Sequence, residues 1–241
     1  MKISNFVRKM LGSLLIASTL SLGSINNDLY DRDYDESYFH SQKEISEIVN
    51  DIEKSTYRIK TIKGRTEGYC NGFAKDNKIY TSAHCVLKGK TYLEYEGEDI
   101  PLRIIKKDDK RDVAILKPQH YYKKGKSVKG VKLHNLKYPI GKDDLETGDV
   151  LIVVGNPFNI GDIPRYCRVE VPELPIPFAV FKGKNKDDYF IHNCPTYFGD
   201  SGSPIIALFD GEPQVVGLVH GSVVVNGNAK FNVAAKLKKY R

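Results

Sequence analysis

The sequence lacks a hydrophobic run long enough to make a convincing membrane span. Its apolar stretch at Met10–Leu22 is broken by glycine and hydroxyl residues, whereas a spanning helix needs about 20 apolar residues. Acidic residues are also absent from positions 1–23, where three basic residues give a charge of +3: Lys2, Arg8 and Lys9. Together with the small residues at Ser21-Leu22-Gly23, this pattern predicts a secretory signal peptide at 1–23. The alternative is an uncleaved amphipathic helix or a signal anchor.

Cysteine is scarce and tryptophan is absent. The 241 residues include four cysteines, namely Cys70, Cys85, Cys167 and Cys194. An even number in an exported protein favours two disulfides, for which three pairings are possible. The length suits one large all-β domain or two small ones that share an interface, and 41% hydrophobic residues can bury a sizeable core.

The net charge of +7 is unevenly distributed. Residues 24–44 carry six acids against two bases, a net −4, which leaves +8 on the chain beyond residue 44. Such an acidic stretch is typical of a disordered, solvated segment. A second interpretation is a pro-segment that folds back onto the basic body at 45–241.

The hydrophobic period changes from helical to strand-like near residue 56. Ile45, Ile48, Val49 and Ile52 form one stripe, which predicts a helix at Lys43–Lys54 with Ser41 as its N-cap. Short β-rich runs separated by turn residues then recur and indicate an all-β sandwich or barrel. These runs are Tyr57–Thr61, Lys78–Ser82, Thr91–Tyr95, Leu102–Ile105, Val113–Leu116, Val150–Val154, Arg165–Val171, Phe178–Phe181, Tyr189–His192, Pro204–Leu208, Val215–Val219 and Phe231–Ala234.

The middle of the chain lacks both strong periodicity and acidic residues. Lys117–Lys137 contains seven lysines, with His120, Tyr121 and Tyr122 among them. We interpret this stretch largely as a solvated linker between two halves and predict no specific nucleic-acid partner. The alternative is a surface for phosphate groups of a nucleic acid or membrane, since lysines interleaved with tyrosines attract phosphate.

Three short blocks carry chemistry in the order histidine, aspartate, serine. Thr81-Ser82-Ala83-His84-Cys85 ends one strand, Asp112-Val113-Ala114-Ile115-Leu116 begins another, and Gly199-Asp200-Ser201-Gly202-Ser203-Pro204 is a tight turn. This is the order of the chymotrypsin-type triad. The nucleophile elbow of α/β-hydrolases is excluded, because it requires glycine where this sequence has Ser203.

These residue types suit nucleophilic catalysis without a metal or cofactor. The hydroxyl of Ser201 needs a base with a pKa near 7, which the imidazole of His84 supplies. The carboxylate of Asp112 would orient that imidazole and stabilise its cationic form. The N–H groups of Gly199 and Ser201 would form the oxyanion hole.

The three blocks resemble the signatures of the chymotrypsin/trypsin-like serine protease superfamily, over about residues 55–235. Val153–Phe158 is similar to the Gly-Asn-Pro-Phe segment of HtrA/Deg-type bacterial proteases, as is the helix before the first strand. No room is left for the PDZ domain usual in that group, so we expect a single-domain secreted relative. The resemblance implies two six-stranded antiparallel β-barrels with the active site between them. Barrel one would span about 55–117, the linker about 118–145 and barrel two about 146–235.

The resemblance also implies a pairing of the cysteines. Many members of the superfamily have a disulfide beside the catalytic histidine, where this sequence has Cys70 and Cys85. Cys167 would then pair with Cys194 in the second barrel. The alternative is that one or both pairs stay reduced.

The sequence lacks the acid that gives trypsin its specificity. Pro195 stands at that position, six residues before Ser201, so cleavage after Arg or Lys is not supported. Thr196 resembles the pocket threonine of glutamyl endopeptidases and of viral proteases that prefer Glu or Gln. Those enzymes add a Gly-x-His strand, and Gly217-Leu218-Val219-His220 is one residue longer. With a β-bulge His220 would join Thr196 in the pocket, and otherwise it is simply a strand residue.

A trypsin-like activation sequence is also missing. Asp200 keeps the acid that trypsin-like zymogens pair with a newly freed N-terminus, yet no Arg-Ile-Val-Gly-Gly-like segment is present. Cleavage between Glu44 and Ile45 is one way to supply such a terminus. The partner of Asp200 therefore stays open at this point.

We therefore predict a secreted or periplasmic serine endopeptidase. It would act on protein or peptide substrates as a monomer, with no stable membrane anchor after signal cleavage. The alternatives are a catalytically weak or inactive protease fold used as a cationic binding protein, and an esterase or other acyl transferase on the same fold.

Overall fold

The structure is a computed structural model that describes residues 42–86, 89–119, 121–123, 126–128, 131–141, 145–156, 161–173, 185–225, 229–237 and 240. All of them belong to the second of two units in the chain, Phe39–Arg241. The predicted signal peptide, most of the acidic segment, the N-cap Ser41 and the strand at Phe178–Phe181 lie outside the described residues. Within the described ranges, no helix has the length and apolar character to cross a membrane.

The predicted helix is present as α1, Gln42–Ser55. Its apolar stripe faces the protein, and Ile48 and Ile52 are buried. Glu44 in the first turn and Lys54 in the last turn complement the helix dipole. The Ser55 hydroxyl donates back to the carbonyls of Asp51 and Ile52, and β1 starts at the next residue.

The first half of the chain forms a closed antiparallel barrel with strand order β1-β2-β3-β6-β5-β4. Its strands are β1 (Thr56–Lys63), β2 (Thr66–Lys75), β3 (Lys78–Thr81), β4 (Lys90–Tyr95), β5 (Glu98–Asp108) and β6 (Val113–Pro118). Inward-facing apolar residues fill it, since period-two alternation places them on one face of each strand. Fully buried examples are Ile59, Ile79, Leu93, Ile100 and Leu116.

The second half forms another closed antiparallel barrel, with order β10-β11-β14-β13-β12-β9. A small hairpin of β7 (Tyr121–Lys123) and β8 (Lys126–Val128) precedes it. The barrel strands are β9 (Val150–Gly155), β10 (Ile163–Val171), β11 (Tyr189–His192), β12 (Pro204–Phe209), β13 (Glu212–Val225) and β14 (Ala229–Lys236). The predicted double barrel of six strands each is therefore confirmed.

Two elements differ from the sequence expectations. Strand β2 was not predicted, because residues 66–69 are exposed and give no alternation, yet β2 pairs with β1 along the whole of β1. The segment interpreted as a linker contains the β7–β8 hairpin. Its later part is also not simply solvated, since Leu133, Leu136 and Tyr138 are buried.

One apolar cluster is shared by α1, both barrels and the connecting segment. It includes Ile52 from the helix, Phe73 and Tyr80 from barrel one, and Val154 and Leu218 from barrel two. Such burial is worth about 25 cal/mol per Å² of apolar surface. The two barrels are thus packed on a common core, which fixes the loops that meet at their junction.

Candidate active site

His84 lies on a 3₁₀ turn, Ala83–Cys85, that follows β3. Ala83 and Cys85 are buried, whereas 41% of the His84 side chain is exposed. Cys85 is joined to Cys70 of β2 by a disulfide, with their Cα atoms 6.0 Å apart. The turn is therefore fixed to barrel one on both sides and presents the imidazole outward.

Asp112 stands directly before β6 and is almost fully buried. Its φ of 55° lies in the left-handed region, which aspartate tolerates better than most residues. Oδ1 accepts a hydrogen bond from the main-chain N–H of His84 at 2.9 Å, and Oδ2 lies 2.8 Å from Nδ1 of the same residue. One carboxylate thus positions both the backbone and the ring of His84.

The hydrogen bonds to Asp112 keep its carboxylate ionised. Burial raises the pKa of Asp112, but hydrogen bonds from His220 and His84 outweigh burial and hold the pKa far below its usual range. A carboxylate can only accept, so Nδ1 of His84 carries the proton and Nε2 keeps a free lone pair. That tautomer is the one a general base requires.

Ser201 lies on the loop between β11 and β12, against barrel one. Its carbonyl accepts from the N–H of Asn71 at 2.8 Å, and the Asn71 amide donates to Ser203 Oγ at 2.9 Å. Ser203 is therefore a buried link between the barrels. The Ser201 hydroxyl donates to the main-chain oxygen of His220 at 3.3 Å, and within the described residues it makes no hydrogen bond to His84.

Gly202 follows the serine at a point where no side chain fits. Its φ is +84°, and a Cβ atom there would lie 2.1 Å from the oxygen of Asn71 and 2.4 Å from Oγ1 of Thr81. Only glycine lets the loop approach barrel one this closely. The close approach brings Ser201 to the side of the junction where His84 lies.

The N–H groups of Gly199 and Ser201 are available to a ligand. Neither donates a hydrogen bond within the part of the chain that the structure describes, while Asp200 N–H donates to the oxygen of Tyr197 at 3.1 Å. Gly199 has a φ of +98° and borders a cavity of about 500 Å³, which Arg58, Tyr69 and Phe198 also line. Phe198 is 84% exposed beside this opening.

Asp200 has a definite partner, Arg165 on β10. The guanidinium makes two contacts with the carboxylate, Nη1 to Oδ2 at 2.6 Å and Nη2 to Oδ1 at 3.0 Å. Asp200 is fully buried and Arg165 is 9% exposed. Arg165 also donates to the oxygen of Pro195, and the N–H of Tyr197 donates to Asp200. The ion pair therefore ties both ends of the loop before Ser201 to barrel two.

The two predicted pocket residues belong to different hydrogen-bonded groups. Thr196 is buried, lies 2.7 Å from Ser222 Oγ and donates to Asn232 at 2.8 Å. His220 sits at an irregularity in the β13–β14 pairing, as a bulge would require, but its Nδ1 lies 2.5 Å from Oδ2 of Asp112. The structure thus places the His220 ring against Asp112, in a different hydrogen-bonded group from that of Thr196.

Three groups of described side chains have the spacing of metal ligands. They are His84, Asp112 and His220; Cys167, His192 and Cys194; and Cys70, His84 and Cys85. In the first, both imidazoles already contact the carboxylate as hydrogen-bond partners. In the other two, the cysteines are joined as the disulfides Cys167–Cys194 and Cys70–Cys85. Both disulfides implied by the sequence resemblance are therefore present.

A match to a sequence profile shows to which family the chain belongs. The profile of the trypsin-like peptidase domain matches residues 70–218, which include His84, Asp112 and Ser201. The chain belongs to the trypsin-like peptidase domain family. It is a serine endopeptidase of that family, and no curated protein matches its sequence.

Solved structures share the fold of this peptidase. The active form of the Rv3671c protease from M. tuberculosis is 22% identical, with a TM-score of 0.62 and a match that covers 78% of each chain. The inactive form of the same protease matches with a TM-score of 0.58 at 22% identity, over 78% of this chain and 86% of that one. The HtrA-type protease AlgW with a tripeptide is 16% identical, with a TM-score of 0.62 over 80% of this chain and 60% of that one.

Sequence reasoning about the peptidase missed Arg165. A signal was available, since Arg165, Cys167 and Val169 alternate along β10 and all three are buried. An arginine on the inward face of a strand requires a buried counter-charge. Asp200, which had no assigned partner, was the acid to pair with it.

Proposed function

We propose that this serine endopeptidase acts through His84, Asp112 and Ser201. The observation that supports the proposal is the double hydrogen bond of Asp112 to the backbone and ring of His84, beside the loop that carries Ser201. An aspartate with only a structural role has no need to fix the tautomer of a half-exposed imidazole. A general base does need a fixed tautomer, with the proton on Nδ1 and a lone pair on Nε2.

The reaction follows from this arrangement. A rotation about the Ser201 side chain turns its hydroxyl from the oxygen of His220 toward Nε2 of His84. As Ser201 Oγ attacks the peptide carbonyl, His84 takes the hydroxyl proton, and Asp112 stabilises the imidazolium. The proton then passes to the leaving amine, an acyl-enzyme remains, and water releases it by the same route. The N–H groups of Gly199 and Ser201 bind the oxyanion in both halves.

The loop before Ser201 is organised without a newly freed N-terminus. Arg165 supplies the buried positive charge that Asp200 requires. Ile45, the terminus that cleavage after Glu44 would free, lies inside α1. We therefore expect activity to need no cleavage at that bond.

The side chain that precedes the cleaved bond would contact Thr196, Ser222 and Asn232. These three form a hydroxyl and amide cluster with no charged member. Hydroxyl and amide groups both donate and accept, which matches the side-chain amide of Gln better than the carboxylate of Glu. Within the predicted choice of Glu or Gln, this cluster favours Gln.

A pair of variants tests the reaction and the specificity separately. Ser201→Ala is expected to abolish hydrolysis of a peptide that the wild type cleaves, while its melting temperature stays unchanged. Thr196→Val is expected to lower kcat/KM for a Gln substrate by about tenfold, the effect of one lost hydrogen bond, and to spare an Ala substrate. Undiminished hydrolysis by Ser201→Ala contradicts the triad. An equal loss on both substrates contradicts the role of Thr196.

Export is the remaining part of the proposed function. Two disulfides and the basic, then apolar, start of the sequence support it. Expression of the full chain with its own leader is expected to give extracytoplasmic protein that begins near residue 24. Retention of Met1 on a cytoplasmic product, with four free thiols, contradicts export.

A further inference from the structure

Asp112 accepts a hydrogen bond from a second imidazole, that of His220, which the reaction above does not use. Its Oδ2 lies 2.8 Å from Nδ1 of His84 and 2.5 Å from Nδ1 of His220. The two rings meet edge to face, with centroids 5.3 Å apart. Since an ionised carboxylate only accepts, both Nδ1 atoms carry protons that point at the same oxygen.

The strand that carries His220 is held firmly at the catalytic loop. The N–H of Val219 donates to the oxygen of Ser203, while its own oxygen accepts from the N–H of Gly202 and the hydroxyl of Ser82. The pairing of β13 with β14 shifts between Val219 and Gly221, and this irregularity sets the direction of the His220 ring. The backbone around Val219 therefore holds both the His220 ring and the loop that carries Ser201.

We propose that His220 is a positioning residue for the catalytic pair, which donates its Nδ1–H to Asp112 and so fixes the carboxylate that orients His84. The proposal rests on the proposed function of the triad. His220 also accepts the Ser201 hydroxyl on its main-chain oxygen, at 3.3 Å. One residue thus contacts the nucleophile through its backbone and the carboxylate through its ring.

The ring of Tyr189 also packs against His220, with the two ring centroids 5.8 Å apart. The Tyr189 phenol donates to the oxygen of Lys110 at 2.7 Å, and burial, reinforced by nearby acids, raises its pKa, so it stays neutral. Edge contacts with the rings of His84 and Tyr189 thus support the orientation in which the His220 ring faces Asp112.

Two substitutions separate hydrogen bonding from packing. His220→Asn keeps an N–H donor near the position of Nδ1 but does not titrate, whereas His220→Phe keeps the ring and loses the donor. We expect kcat to fall about tenfold or more in His220→Phe with KM within twofold, the effect of losing a hydrogen bond to a charge. His220→Asn should recover most of that loss.

Kinetics that match those expectations support the positioning role. Wild-type kcat in His220→Phe overturns it, as does an equal loss in both variants. Thermal unfolding of each variant confirms that the compared proteins are folded.

A second measurement does not depend on turnover. In the Ser201→Ala protein with ¹⁵N-labelled histidine, proton NMR should show two strongly downfield Nδ1–H signals, and the His220→Asn change should remove one. A single such signal, assigned to His84, overturns the role of His220 and leaves the triad intact. Two signals in a protein whose wild type cleaves no peptide would contradict the proposed function and leave the His220 hydrogen bond established.

Discussion

Two buried carboxylates of the candidate site, Asp200 and Asp112, are held in opposite ways. Asp200 is paired with the guanidinium of Arg165, through two contacts of 2.6 and 3.0 Å. Asp112 is paired with two imidazoles, whose Nδ1 atoms lie 2.8 and 2.5 Å from its Oδ2. The first arrangement fixes the loop before Ser201, and the second fixes the ring of His84. In the proposed function, the structural and the chemical roles therefore fall to different carboxylates of the same site.

The largest expected effect comes from breaking the hydrogen bonds to Asp112. Asp112→Asn replaces an acceptor-only group with one that can donate, so that His84 no longer needs its Nδ1 proton. We expect kcat to fall by about 10⁴-fold, as is typical when this carboxylate is lost from a serine-protease triad. Steady-state hydrolysis of one peptide by both proteins measures it. A loss of less than tenfold would show that Asp112 does not orient the base.

Breaking the permanent ion pair should act on stability first. Arg165→Met leaves Asp200 as an uncompensated buried charge, which costs about 3–5 kcal/mol. Denaturant unfolding is expected to show this loss, together with weaker activity. The matched control is Arg168→Met on the same strand, an exposed arginine that donates to the oxygen of Gly148. Equal stability of the two variants contradicts the role assigned to Arg165.

His192 is a third buried ionisable residue. Unlike Asp112 and Asp200, it has no hydrogen-bonded partner among the described residues. Both ring nitrogens are buried without a hydrogen-bond partner among the described residues. Burial, reinforced by the charge of Arg165, lowers the pKa of His192 to about 4. The unfolded chain takes up this proton as the pH falls through about 6.5, whereas the native state resists until about 4. Stability should therefore decline by about 3 kcal/mol between those pH values.

The variant His192→Leu removes that titration. Urea unfolding at pH 7 and pH 4.5 should show a smaller acid-dependent loss for the variant than for the wild type. The exposed His134, which contacts Asp51 at 3.0 Å, is the control, and His134→Asn should leave the loss unchanged. Identical pH dependence in wild type and His192→Leu would show that His192 is not the source.

The smallest effect is expected for an exposed network on barrel one. Lys60 contacts Asp99 at 3.2 Å and Glu67 at 3.5 Å, where water screens the charges. Lys60→Met should leave the melting temperature and kcat unchanged within the error of measurement. A loss as large as that of Arg165→Met would remove the distinction between buried and exposed ion pairs.

Much of the double barrel can be predicted from local sequence patterns. Short alternating runs predict most strands, and the order of His84, Asp112 and Ser201 is readable without coordinates. Strand β2 is not, because its pairing partners along β1 determine it rather than its own pattern. The β7–β8 hairpin is likewise formed by lysine-rich residues that carry no strand signal.

The partners of the site residues depend on tertiary geometry. The sequence allows a bulge before Gly221. It does not show which side chain the His220 ring then contacts, because that partner, Asp112, lies on a turn more than a hundred residues away. Arg165 was recoverable from its inward register on β10, since a buried cation needs an acid. The direction of a single ring on a bulged strand is not recoverable from local sequence.

Covalent labelling of the nucleophile tests the central claim most directly. The oxidised, folded protein is treated with a fluorophosphonate, and the modified peptide is located by mass spectrometry. We expect one phosphonyl group, on Ser201, formed much faster than in Asp112→Asn and absent from Ser201→Ala. A folded wild type that stays unlabelled, or that is labelled on another residue, would contradict it.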